Sequence, residues 1–128
     1  PMRGNSWPRT QRVTLLESDL SEPTWPSLLD KAGLPAAQFH AIVSMQSLHD
    51  VGDEEVIARL YQQAQALLLP NGLLLNADLV VAAGEELPKN PGRRSIPRHL
   101  ALLAAQGYAE PRCTFAQGNF GCVVAWRR

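Results

Sequence analysis

The apolar positions of this chain recur with two different periods, and the changes of period mark its elements. Val56, Ile57, Leu60, Tyr61, Ala64, Leu67 and Leu68 return at helical spacing, which predicts one apolar stripe on an amphipathic helix. Asp53, Glu54 and Glu55 stand at its start, where carboxylates favour the positive end of the helix dipole. Residues 39–44 and 73–80 are short apolar runs. Each predicts a strand buried on both faces. Pro70, Asn71 and Gly72 lie between the helix and the second run and signal a turn.

Weaker signals fill in the rest. Residues 1–12 are polar and irregular and read as an arm before a single domain over residues 13–128. Residues 13–17 form a short strand pattern, broken by the turn residues 18–23. A helix is expected from Thr24 as cap, with Pro26 in its first turn and Gly33 at its end. Residues 83–95 read as a loop, and a helix through Leu100, Leu102 and Leu103 opens at Ser95 and closes at Gly107. Two last strands, 112–115 and Phe120–Trp126, flank Gln117, Gly118 and Asn119 as a hairpin. The order β-α-β-α-β-α-β-β predicts an α/β fold. Its sheet would be mainly parallel with a C-terminal antiparallel hairpin, and helices would cover both faces.

Composition narrows the function. The chain has 128 residues and balances twelve Lys and Arg against twelve Asp and Glu, which argues against a dedicated nucleic-acid binder. No apolar run approaches a membrane span; the run from Ala77 to Ala83 is broken by Asp78. The first residues carry no apolar signal region. Two cysteines, Cys113 and Cys122, make no disulfide scaffold, so a reducing cytoplasm is the expected compartment. They read as reduced thiols, near one another across the hairpin and packed as small hydrophobes. Together with three scattered histidines they do not make a zinc site. His40 and His99 read as surface or boundary residues, and Phe115, Phe120 and Trp126 as core.

Four segments, in this order and spacing, resemble the second half of a class I S-adenosylmethionine-dependent methyltransferase. They are residues 17–20 (Glu-Ser-Asp-Leu), residues 39–50 ending in Leu48, His49 and Asp50, residues 66–78 around Leu69-Pro70-Asn71-Gly72, and Gly107-Tyr108 before the hairpin. The resemblance implies a partial Rossmann-like sheet, the family's third to seventh strands. It implies that Asp19 accepts from the adenine amino group of S-adenosylmethionine, with the backbone of Leu20 as a donor. It places Ser44, Met45 and Gln46 beside the methionine part of the cofactor, beyond the carboxyl ends of the strands.

Each of these residues also has a simpler reading. Asp19 fits a turn or cap aspartate, and Ser44 and Gln46 fit a strand end. His49 could act as a general base or orient an acceptor, with Asp50 as its visible neighbouring carboxylate. Asp78 fits either a strand end or an acceptor contact. Arg93 and Arg94, with Lys89 and Arg98 nearby, fit either a solvated loop or a lid over an anionic acceptor.

One departure from the family is large. No Gly-x-Gly occurs in the chain, and the first two strands have no counterpart. The chain is therefore expected to be a piece of a longer enzyme or a half-domain. The strand at 39–44 is then left with an open apolar edge, which tends to pair with something. The strand at 13–17 could move in beside it, two chains could join edge to edge or by swapping, or another polypeptide could supply the missing strands. Two functions follow. One is methyl transfer to a small-molecule acceptor, with the cofactor site completed by a missing segment or a second chain. The other is a non-catalytic half-domain that works by oligomerisation or partner binding. An unrelated α/β domain is a third, weaker reading.

Overall fold

A computed structural model describes residues 13–34 and 38–128. The expected arm at 1–12 lies outside the described residues. The elements are α1 (Ser27–Lys31), β1 (Phe39–Met45), α2 (Glu54–Leu67), β2 (Leu68–Leu79), α3 (Ile96–Ala105), β3 (Ala109–Gln117) and β4 (Phe120–Trp126), with a 3-10 turn over Leu48–Asp50. The four strands form one sheet in the order β1-β2-β4-β3. β1 and β2 are parallel, and β4 is antiparallel to both β2 and β3. The α/β class and the terminal hairpin match the expectation. The parallel share is a single pair, because residues 13–17 contribute no strand.

That segment is the main departure. Residues 13–17 have extended-strand composition but no backbone partner, and Leu15 is 90% exposed. A strand needs a neighbour to satisfy its N–H and C=O groups, and among the described residues none stands beside this one. The helix expected from Thr24 is shorter than its signals. Turns fill residues 20–26, and Pro26 is the N-cap without a side-chain bond. Gly33 closes α1 at φ 78°, and Leu34 N–H donates to the Leu29 carbonyl at 2.8 Å. That pattern is a glycine C-cap.

α2 forms where its stripe predicts. The Asp53 side chain accepts from Val56 N–H at 3.1 Å and caps the helix. Ile57, Leu60, Tyr61 and Ala64 bury its inner face. α3 is capped by Ser95, whose side chain accepts from Arg98 N–H at 3.2 Å. Leu102 and Leu103 join the same core as Leu74, Val123 and Ala125. Leu74 and Ala125 are register partners, and Val123 lies two residues along β4, so these three share one sheet face. α2 and α3 therefore lie together on one face, where helices were expected on both.

β1 was expected to be buried on both faces. It is an edge strand instead, with Val43 and Met45 exposed. The Pro70-Asn71-Gly72 turn is absorbed into β2. Phe39 pairs with Leu68 and Ala41 with Leu73, so two steps on β1 face five on β2. Asn71, at φ 66°, donates its N–H to the Arg127 carbonyl, and Arg127 N–H donates to the Gly72 carbonyl. A Cβ on Gly72 would meet the Leu69 carbonyl oxygen at 2.8 Å, so this bulge requires glycine.

β3 begins at Ala109, three residues before its expected start, and a two-residue turn, Gly118-Asn119, closes the hairpin. Phe115 is exposed, where core was expected; Phe120 and Trp126 are half-buried. Trp126 lies under the Arg112 guanidinium at 4.8 Å. Cys113 is exposed and pairs in register with Val123, and Cys122 with Phe115. The two free thiols are therefore not opposed, and Cys113 is not packed inside.

Candidate functional site

Parallel strands bring their carboxyl ends to one side of a sheet, and ligands of open α/β sheets bind there. β1 and β2 do this here. β1 ends at Met45, and Gln46 N–H still donates to the Ala77 carbonyl at 2.7 Å. Gln46 then turns the chain at φ 53°, a left-handed conformation uncommon outside glycine. The chain passes into the Leu48–Asp50 turn, anchored by buried Leu48. That turn lifts His49 over the end of β2, where Asp78 stands.

Asp78 is 2% exposed and fully engaged. Its Oδ1 contacts His49 Nδ1 at 2.7 Å and accepts from Leu79 N–H at 2.8 Å, while Oδ2 accepts from His49 N–H at 2.9 Å. An ionised carboxylate accepts only, so Nδ1 of His49 carries the proton and donates it to Asp78. In the neutral imidazole Nε2 then keeps a lone pair. The Asp50 carboxylate is exposed and lies 3.7 Å from Nε2, beyond hydrogen-bond range. The carboxylate that orients His49 is therefore Asp78, twenty-nine residues away. Linear order hides this pair. The signal that reveals it is the parallel β-α-β unit, which places both residues at adjacent strand ends.

Behind this pair runs a buried polar cluster that the sequence did not disclose. Asn76 Nδ2 donates to Tyr61 Oη at 3.0 Å, and Tyr61 Oη lies 2.7 Å from His99 Nδ1. Tyr108 donates its hydroxyl to the Tyr61 carbonyl at 2.7 Å. His99 is 2% exposed, where a surface or boundary position was expected; His40 is exposed. Burial pushes the His99 imidazole below its ordinary value, against the opposing pull of the Asp78 charge. Burial also pushes the Tyr61 phenol up. Asn76 Oδ1 is buried without a partner.

A cavity of about 340 Å³ opens between β1 and α2. Leu20, Ser44, Met45 and Asn76 line it, with Trp25 and Leu60 among its apolar walls. Three of the five expected cofactor residues thus share one cavity. Trp25 is fixed by donating its indole N–H to Gln63 Oε1 at 2.8 Å. Leu20 is held through its carbonyl, which accepts from Arg59. Asp19 is exposed and forms a turn: Oδ1 accepts from both the N–H and the hydroxyl of Ser21. Those bonds hold its carboxyl below the ordinary range, and Oδ2 takes part in neither.

Arg98 grips Glu54 at the start of α2 with two bonds, 2.8 and 2.5 Å. Arg94 approaches the same carboxylate at 3.8 Å. Arg93 donates its N–H to the Asn90 carbonyl within the loop. The structure thus places the Arg94 guanidinium beside Glu54 at the start of α2. Among the described residues, no three His, Cys, Asp or Glu side chains group as metal ligands. Among the same residues, no helix is long and apolar enough to cross a membrane.

No protein-family model matches the sequence, and no curated protein matches it. Solved structures share its fold. The CurJ carbon methyltransferase is similar with a TM-score of 0.64 at 12% identity, over 86% of this chain and 34% of that one. PigF, solved with SAH, gives 0.62 at 13%, over 77% and 33%. Human N-acetylserotonin methyltransferase, in complex with SAM, gives 0.57 at 14%, over 69% and 29%. This chain spans about a third of the length of each.

Proposed function

We propose that this chain, which carries part of the fold of S-adenosylmethionine-dependent methyltransferases, serves methyl transfer to a hydroxyl group of a small-molecule acceptor. The observation that carries this reading is the 2.7 Å contact between His49 Nδ1 and buried Asp78. It presents Nε2 as a base of fixed tautomer at the ligand-binding end of the sheet. A hydroxyl is a weak nucleophile until a base takes its proton. His49 Nε2 accepts that proton as the acceptor oxygen bonds to the methyl carbon. When bound, S-adenosylmethionine would supply the methyl carbon from its sulfonium, with the carbon–sulfur electron pair kept by sulfur as S-adenosylhomocysteine. Asp78 holds the imidazole in place and stabilises its charged form.

The residues around the cavity fit the cofactor in kind. Asp19 Oδ2 can accept from an exocyclic amine, and Ser44, Met45 and Asn76 offer polar and apolar contacts at the ends of β1 and β2. The chain carries no Gly-x-Gly loop, so a further segment or a second chain completes the site. Calorimetric titration with S-adenosylmethionine and S-adenosylhomocysteine tests this, with the mass measured in the same buffer. Micromolar binding supports a rebuilt site, and silence at millimolar cofactor ends the stand-alone reading. On a completed site, His49→Gln should lower the rate by roughly 10²–10⁴-fold, the usual worth of a general base. An unchanged rate would remove His49 from the mechanism.

The alternative is a non-catalytic half-domain that binds a partner. The open edge of β1 favours it. Micromolar binding of cofactor in that titration would count against this alternative.

A further inference from the structure

Residues 80–95 join β2 to α3 and leave the sheet two positions beyond Asp78. Among the described residues, one backbone bond joins the two feet of this loop. It runs from Val81 N–H to the Arg94 carbonyl, and at 3.4 Å it is long. The Glu86 carboxylate supplies the stronger tie. Its Oε1 accepts from Gly84 N–H and its Oε2 from Ser95 N–H, each at 3.2 Å. One side chain thus fastens the outgoing arm of the loop to the N-cap of α3. Glu86 is half-buried, whereas the other residues from Ala82 to Pro91 are exposed. Bonds from its own backbone N–H and from Ser95 hold the carboxyl below the ordinary range. At neutral pH it is therefore ionised and accepts only.

The returning arm of the loop reaches the candidate base. Gly92 is buried, and a Cβ on it would stand 2.3 Å from the His49 carbonyl oxygen and 2.6 Å from that of Gly52. The loop backbone therefore lies directly on the turn that carries His49. Asp78 holds the N–H side of His49, and Gly92 meets its carbonyl side. We propose that Glu86 is a positioning residue for His49: it keeps the loop in the shape that sets Gly92 against the His49 turn, and so keeps Nδ1 on Asp78 and Nε2 open. The inference rests on the reading of His49 as the base and adds what holds that base in place. It predicts that a change at Glu86 is felt at the His49 imidazole, although Glu86 belongs to a different segment of the chain.

Imidazole nitrogen NMR of the full chain without cofactor tests this. In the wild type, neutral His49 should show one tautomer, protonated at Nδ1 and slow to exchange that proton. Glu86→Gln keeps the side-chain length and replaces an acceptor oxygen by a donor that faces an N–H. It should raise the Nε2-protonated tautomer of His49 to a comparable share and speed exchange of the Nδ1 proton. The ring signals of buried Tyr61 and Tyr108 should stay in place. Gly92→Ala alters the same contact with Glu86 intact and should disturb His49 in the same way. Glu85→Gln, at an exposed neighbouring position, should leave His49 as in the wild type. An unchanged His49 tautomer in Glu86→Gln would overturn the proposal. So would shifts of Tyr61 and Tyr108 along with His49, which would mark a general loosening of the core. Mixed tautomers in the wild type would remove the fixed base itself, and the proposal with it. A fixed tautomer that responds to Glu86, on a chain that never binds cofactor, would leave this inference standing while the methyltransferase reading fails.

Discussion

The buried His99 gives the clearest consequence at the scale of one residue. Its imidazole is held below the ordinary value of 6.5, mainly by burial. Above that value both folded and unfolded chains hold His99 neutral, and its contribution to stability is fully present. As pH falls below 6.5, the unfolded chain binds a proton that the folded chain resists, and stability is lost. Thermal melts between pH 8 and pH 5 should show this decline, and His99→Gln should flatten it. An equal slope in the variant would mean that other groups carry the pH dependence. Gly92 gives a second test. A Cβ there would lie 2.3 Å from the His49 carbonyl oxygen and 2.6 Å from that of Gly52. Backbone cannot swing away as a side chain can, so Gly92→Ala should destabilise by about 1–3 kcal/mol. It should also disturb the turn that carries His49, and chemical denaturation with imidazole NMR would read both effects.

Among the elements, those encoded by local pattern were legible and those that need a distant neighbour were not. The α2 stripe, its Asp53 cap and the glycine turn of the hairpin are written within a few residues of where they act. Asp53→Ala should cost about 1 kcal/mol of stability, the usual worth of an N-cap, measured by urea denaturation. Residues 13–17 had the composition of a strand, but pairing is decided by what stands alongside. β1 is apolar enough for burial on both faces, yet among the described residues it stands at the edge of the sheet. The site shows the same division. His49 stood out as a candidate, whereas its partner Asp78 became visible only when β1 and β2 were laid side by side. Tyr61, Asn76 and Trp25 gave no chemical signal, because two sit in apolar-patterned segments and their bonds cross between elements.

For the whole molecule, the sheet order carries a consequence for how the chain comes together. β4 follows β3 in the chain, yet it lies between β2 and β3 in space. It supplies Val123 and Ala125 to the core and bridges the two halves of the sheet. The strand that fills the central slot is the last element of the described chain to be made. The nascent chain can pair β1 with β2, but its sheet cannot be completed until residues 120–126 arrive. A released chain truncated after Gln117 should remain protease-sensitive, while the full chain should resist cleavage. Folding of this chain would then be a late, concerted event, and the interval before it is when β1 and β2 are most open to capture by a chaperone.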